Sequence, residues 1–155
     1  MKKLLIFSLL LLFMAFVYAE DPRQEQGSIH YKHSISLSYG LALIIPTLGI
    51  EYEHQIKELS RSYLNLQIYG HYYDNSWDHE EGALIGASFR WLTGKNTWFH
   101  LELGLGAAAI ISPKNLRLLP DAYCGFRLQR PGEHLYFNTA IGYPKLISQG
   151  IGWAF

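Results

Sequence analysis

Apolar residues recur at every second position through most of this chain, a period that puts them on one face of an extended strand. The first run covers residues 34–44, where Ile35, Leu37, Tyr39, Leu41 and Leu43 alternate with Ser34, Ser36, Ser38, Gly40 and Ala42. The pair Ile45-Pro46 then reads as an abrupt turn. Further runs of the same period cover residues 47–56, 62–72, 82–92, 98–111, 121–129, 134–143 and 150–155. Eight strands with no helix among them predict an all-β fold, an eight-stranded antiparallel up-and-down β-barrel over residues 32–155.

Alternation does not say which face meets the core, and a soluble barrel or sandwich with an apolar interior is the competing arrangement. Three features favour the inverse, a transmembrane barrel with its apolar face outward. Most runs are about nine to eleven residues long, the length a tilted strand needs to cross a hydrocarbon layer. The second face is built mostly of Ser, Gly, Ala and Thr, which suits a narrow lumen better than a solvated surface. Its charges are of both signs, Glu51, Glu53 and Glu102 against Arg90 and Arg127. Aromatic residues gather near run ends, at Tyr72, Trp91, Phe99, Tyr143, Trp153 and Phe155, as an interfacial girdle requires.

With both termini on the periplasmic side, the inner connections fall at residues 57–61, 93–96 and 130–133, all short. The outer ones fall at residues 45–46, 73–81, 112–120 and 144–149.

The N-terminus changes the picture from barrel to exported barrel. Lys2 and Lys3 precede an apolar run over residues 4–16, too short for a spanning helix, and Val17-Tyr18-Ala19 fits a small-x-small cleavage site. Residues 1–19 are therefore predicted to be a cleaved signal peptide, and residues 20–31, polar and aperiodic, a flexible lead-in. Of 13 basic residues, losing Lys2 and Lys3 leaves 11 against 13 acidic ones. A near-neutral chain without a polybasic block is no nucleic-acid binder. The single cysteine, Cys124, makes no internal disulfide and falls on the apolar face.

The closing residues Ile151-Gly152-Trp153-Ala154-Phe155 resemble the end of bacterial outer-membrane barrels, where a final aromatic marks the chain for the barrel-assembly machinery. Ser34-Ile35-Ser36-Leu37, Gly49-Ile50-Glu51-Tyr52-Glu53 and the run from Phe99 to Gly106 resemble small outer-membrane barrels of Bacteroidota, and more broadly those of the OmpA and OmpX kind. The resemblance implies the fold, an outer-membrane location and contact with lipid and lipopolysaccharide. It implies no assigned activity; no cofactor is expected, and the chain is expected to be a monomer.

Two groups of residues are candidate sites. Glu51, Glu53, Arg90, Glu102 and Arg127 form a lumen network, which reads as a polar plug or, alternatively, as a narrow gated ion path. The outer segment with Asp74, Trp77, Asp78, Glu80 and Glu81 is a possible contact surface, although its spacing matches no calcium loop. Enzymes that hydrolyse or transfer lipid A acyl chains occur on this architecture, which calls for a serine and a histidine on one face. His33 shares no face with Ser34 or Ser36, and His71 reaches Ser76 and Asp74 only through a loop. No catalytic residue is assigned. His30, His54, His100 and His134 show no metal-ligand spacing. The expected role is non-enzymatic, structural or surface-interacting.

Overall fold

A computed structural model describes residues 31–75, 80–94 and 97–155. Its strands are β1 (His33–Ala42), β2 (Ile45–Glu58), β3 (Ser62–Asn75), β4 (Glu80–Thr93), β5 (Phe99–Ile111), β6 (Leu116–Leu128), β7 (Leu135–Tyr143) and β8 (Lys145–Ala154). Each pairs antiparallel with the next, and β8 returns to β1, with Ser34 opposite Ala154 and Leu37 opposite Ile151. Closure of the ring gives both would-be edge strands a hydrogen-bonding neighbour, so no open edge is left to recruit another chain. The predicted eight-stranded antiparallel barrel is the fold observed. The predicted signal peptide, residue 20 to residue 30 of the lead-in, and Trp77 and Asp78 lie outside the described residues.

The two faces are inverted relative to a soluble protein. Ile50, Phe89, Leu105 and Ile141 are exposed on the outside, whereas Ser36, Gln67, Ser88 and Glu102 are buried within. Eight strands enclose a lumen that side chains fill, and the sequence fills it by pairing large residues with absent ones. Tyr69 stands opposite Gly86, Tyr73 opposite Gly82, Tyr123 opposite Gly104 and Tyr136 opposite Gly152. In each pair a Cβ on the glycine would run into the tyrosine ring. The ring lies flat across its neighbouring strand, a cross-strand use of aromatic side chains that covers glycine and pins the register.

One end of the barrel carries the start of β1, the end of β8 and the β2–β3, β4–β5 and β6–β7 connections; the distal end carries the β1–β2, β3–β4, β5–β6 and β7–β8 connections. There the interior changes character, with Ala42, Tyr69, Leu84 and Ala108 buried together and Ile110 packed on them. A cavity of about 180 Å³ lies beyond, lined by Leu43, Tyr73, Leu84, Ile110 and Arg117 among others.

The distal hairpins are tighter than the sequence predicts. The first turn is at Leu43 and Ile44, both left-handed (φ 48° and 74°), not at Ile45-Pro46, which already belong to β2. Two consecutive positive φ values match the sense of twist that joins antiparallel strands across a two-residue loop. The segment expected as a loop over residues 112–120 gives its last five residues to β6, whose Leu116 and Leu118 point outward. The expected loop at 144–149 shrinks to Pro144, because β8 starts at Lys145. Asp74, Glu80 and Glu81, expected in a loop, stand on β3 and β4, with Asp74 opposite Glu81. Trp98, expected to open the fifth run, lies just before β5 and is exposed.

The tyrosine–glycine pairing makes a direct test. Gly86→Val should displace the Tyr69 ring and destabilise the barrel by about 1–3 kcal/mol. Gly70→Ala faces open space and should stay within about 0.5 kcal/mol of the parent. Urea unfolding of the refolded protein measures both.

Candidate functional site

The five charged residues predicted to share the lumen come from four strands, with Glu51 and Glu53 on β2, Arg90 on β4, Glu102 on β5 and Arg127 on β6. Period two aims all five inward, and the barrel brings them into one network. Arg90 reaches Glu53 at 2.9 Å, Glu51 at 3.4 Å and Glu102 at 3.5 Å. Arg127 reaches Glu53 at 2.6 Å and Glu102 at 2.9 Å. Glu53 and Glu102 each bridge both guanidinium groups. All five are almost wholly buried, Glu102 completely so (0 % exposed).

Neutral side chains complete the plug. Asn65 donates to Glu53, and Gln67 donates to Glu51 at 2.6 Å while its own carbonyl accepts from Ser88 (3.1 Å) and the Tyr123 hydroxyl (2.8 Å). Arg90 Nε donates to the Tyr123 hydroxyl at 2.7 Å, and the Arg127 guanidinium lies over the Tyr136 ring, 4.2 Å from its centre. Charges removed from water this completely are tolerable only when paired and hydrogen-bonded, as these five are.

Two further buried charges, Lys145 and Asp121, stand outside the predicted five. Lys145 points inward, donates to Glu51 at 2.9 Å and sits over the Tyr69 ring at 3.9 Å. It closes the network toward the distal end, beneath the apolar cluster. His71 is also inside, with Nε2 at 3.3 Å from Glu51 and 3.2 Å from the Ser38 hydroxyl.

A serine, a histidine and a glutamate in contact invite comparison with a hydrolytic triad, and the geometry does not support one. In a triad the base uses one ring nitrogen toward the serine and the other toward the carboxylate. Here a single nitrogen, Nε2, faces both partners, while Nδ1 has no hydrogen-bond partner. Ser38 is also 1 % exposed, walled off from any acyl chain. His71 is buried in the lumen while Asp74 is exposed, so His71 belongs to the plug; Ser76 lies outside the described residues.

Of the other predicted group, Trp77 and Asp78 lie outside the described residues, and Glu80 stands on β4 opposite Asn75. Asp74 and Glu81 are exposed and face each other across the β3–β4 hairpin, a like-charge pairing that is mildly destabilising. Toward the terminal end, the lumen opens into a cavity of about 90 Å³ bordered by Tyr31, Glu53, Asn65, His100 and Arg127. Tyr31, the last residue of the lead-in, donates to the Gly132 carbonyl there at 2.8 Å.

No family model and no curated protein matches this chain. Among solved structures, the chain is similar to the Yersinia pestis outer membrane protein Ail, determined in a phospholipid bilayer nanodisc. The match has a TM-score of 0.51 and 15% identity, over 81% of this chain and 100% of that one. At that identity the likeness is one of fold.

Removing one partner of a buried ion pair strands the others. Arg127→Met should cost about 3–5 kcal/mol, because Glu53 and Glu102 lose one of their two shared cations. Glu53→Gln combined with Arg127→Met should cost less than the sum of the single changes, by about 0.5–3 kcal/mol of coupling. A double-mutant cycle by urea unfolding in lipid or detergent reads both values; strict additivity would deny the network its energetic role.

Proposed function

We propose that this chain is a non-enzymatic integral barrel of a bacterial outer membrane, exported through a cleaved signal peptide at residues 1–19, with a structural or surface-interaction role in the cell envelope. The observation that carries the reading is the inverted surface: aliphatic and aromatic side chains outside, paired charges inside. Only a solvent as apolar as the outer face stabilises that arrangement, and a closed sheet is one of two backbone structures able to cross it. Strands of nine to fourteen residues are long enough. Tyr72, Trp91, Phe99, Tyr143, Trp153 and Phe155 are all exposed, which supports an aromatic girdle at the lipid boundary. The bilayer setting of the Ail structure agrees with this location.

The partners in this reading are outer-membrane lipid and lipopolysaccharide, with Phe155 serving recognition by the barrel-assembly machinery. The chain acts as a monomer. Short distal turns leave little surface for adhesion, and the Glu–Arg–Lys plug together with the apolar cluster supports an occluded lumen over a gated pore. The shared His71 nitrogen and the buried Ser38 weigh against acyl hydrolysis or transfer.

Heat-modifiable migration tests the membrane barrel: unboiled protein from the membrane fraction should run at a different apparent mass from boiled protein. Soluble fractionation with no shift would overturn the reading. Planar bilayers should show no discrete conductance steps, and lipid A from a deletion strain should keep its acyl pattern.

A further inference from the structure

Outside the lumen, strand register joins two histidines that are 21 positions apart in sequence. His33 on β1 stands directly opposite His54 on β2. Both are in step with Ile35 and Tyr52, whose side chains are exposed, and out of step with the buried Ser34 and Glu53. The pair is therefore on the outer rim at the terminal end of the barrel. The two Nδ1 atoms are 3.3 Å apart while the ring centres are 4.8 Å apart, so the nitrogens occupy facing edges. The Tyr52 hydroxyl is 2.6 Å from the same His33 Nδ1.

The surroundings hold His33 in place. Its ring stacks on Phe155 at 5.8 Å and on Tyr52 at 6.0 Å. Its backbone N–H donates to the Phe155 carbonyl at 3.0 Å, and its carbonyl accepts from the Phe155 N–H at 2.8 Å. Ligands fixed on paired strands need little rearrangement to bind an ion.

An imidazole Nδ1 offers either one hydrogen or one lone pair. His33 Nδ1 therefore has one bond to give and two polar neighbours to satisfy. A cation between the rings resolves this by using both lone pairs at once. In a tetrahedral zinc site with Zn–N of about 2.0–2.1 Å, two ligand nitrogens lie about 3.3–3.4 Å apart. The observed separation is 3.3 Å. We propose that His33 and His54 form a two-imidazole binding site for a borderline divalent transition metal, zinc or copper(II), on the rim of the barrel. Imidazole selects these ions over magnesium and calcium, which prefer oxygen ligands. The Tyr52 hydroxyl is placed to bond to a metal-bound water, and the remaining positions are open to solvent.

Zinc titrated calorimetrically into the untagged full chain, folded in non-ionic detergent, tests the site. One saturable site per chain is expected, and His33→Asn and His54→Asn should each weaken binding at least about tenfold. His134→Asn is the control: His134 lies at the same end, stacked on Trp153 with Nδ1 on the Ala154 carbonyl, and its loss should leave affinity unchanged. Copper(II) bound to the parent should show hyperfine coupling to two imidazole nitrogens, falling to one in either variant. Heat-modifiable migration verifies that each variant is folded. No saturable binding, binding that survives both substitutions, or loss on His134→Asn would overturn the proposal. None of these outcomes bears on whether the barrel spans a membrane.

Discussion

Four buried carboxylates, two guanidinium groups and the Lys145 ammonium, enclosed by a ring of eight strands, have one another and neutral polar groups in place of solvent, and the rest of the structure is arranged around that requirement. The bridging positions of Glu53 and Glu102 between Arg90 and Arg127 fix four strands relative to one another from the inside. Asn65, Gln67 and Tyr123 add neutral partners to the charged groups, and tyrosine rings lie across glycines so that the filled lumen still fits a small ring. Burying charge in this way contributes little net stability beside an apolar core. What it supplies is sidedness, because an interior of paired charge leaves the apolar half of every strand to face outward.

The lumen was legible in the sequence because a strand's period of two is a strong rule where nothing interrupts it. Glu51, Glu53, Arg90, Glu102 and Arg127 follow that parity, and all five meet. Lys145 escaped for a physical reason. The register between β1 and β8 shifts between Leu41 and Ala42, so that Leu41 faces Ile147 but Ala42 faces Lys145. A bulge of this kind reverses parity, and an odd-numbered residue beyond the bend turns inward while Ile147 and Ile151 stay outside. Residues 116–120 and 145–149, expected in outer connections, belong to β6 and β8, and β6 runs through Pro120, which stands opposite Ala107.

The histidine pair was invisible for a different reason. His33 and His54 are joined by no local spacing; only the β1–β2 register puts them face to face, and that register depends on a turn at Leu43 and Ile44, two residues earlier than the proline suggests. A two-residue error in a hairpin turn changes every cross-strand partner along it. Sites built within one strand or one face are thus readable from a single sequence, while sites built between strands wait on the register.

The sidedness of the barrel has a built-in reporter, because Cys124 is the only cysteine and lies exposed on β6 between Leu103 and Ile141 of the neighbouring strands. A fluorophore attached to Cys124, with the protein inserted in vesicles, should be quenched by lipids brominated in their acyl chains. In the same vesicles, the unlabelled thiol should resist a water-soluble maleimide that modifies it readily after unfolding. Rapid modification by the maleimide, with no quenching by brominated chains, would place the apolar face in water and contradict the account.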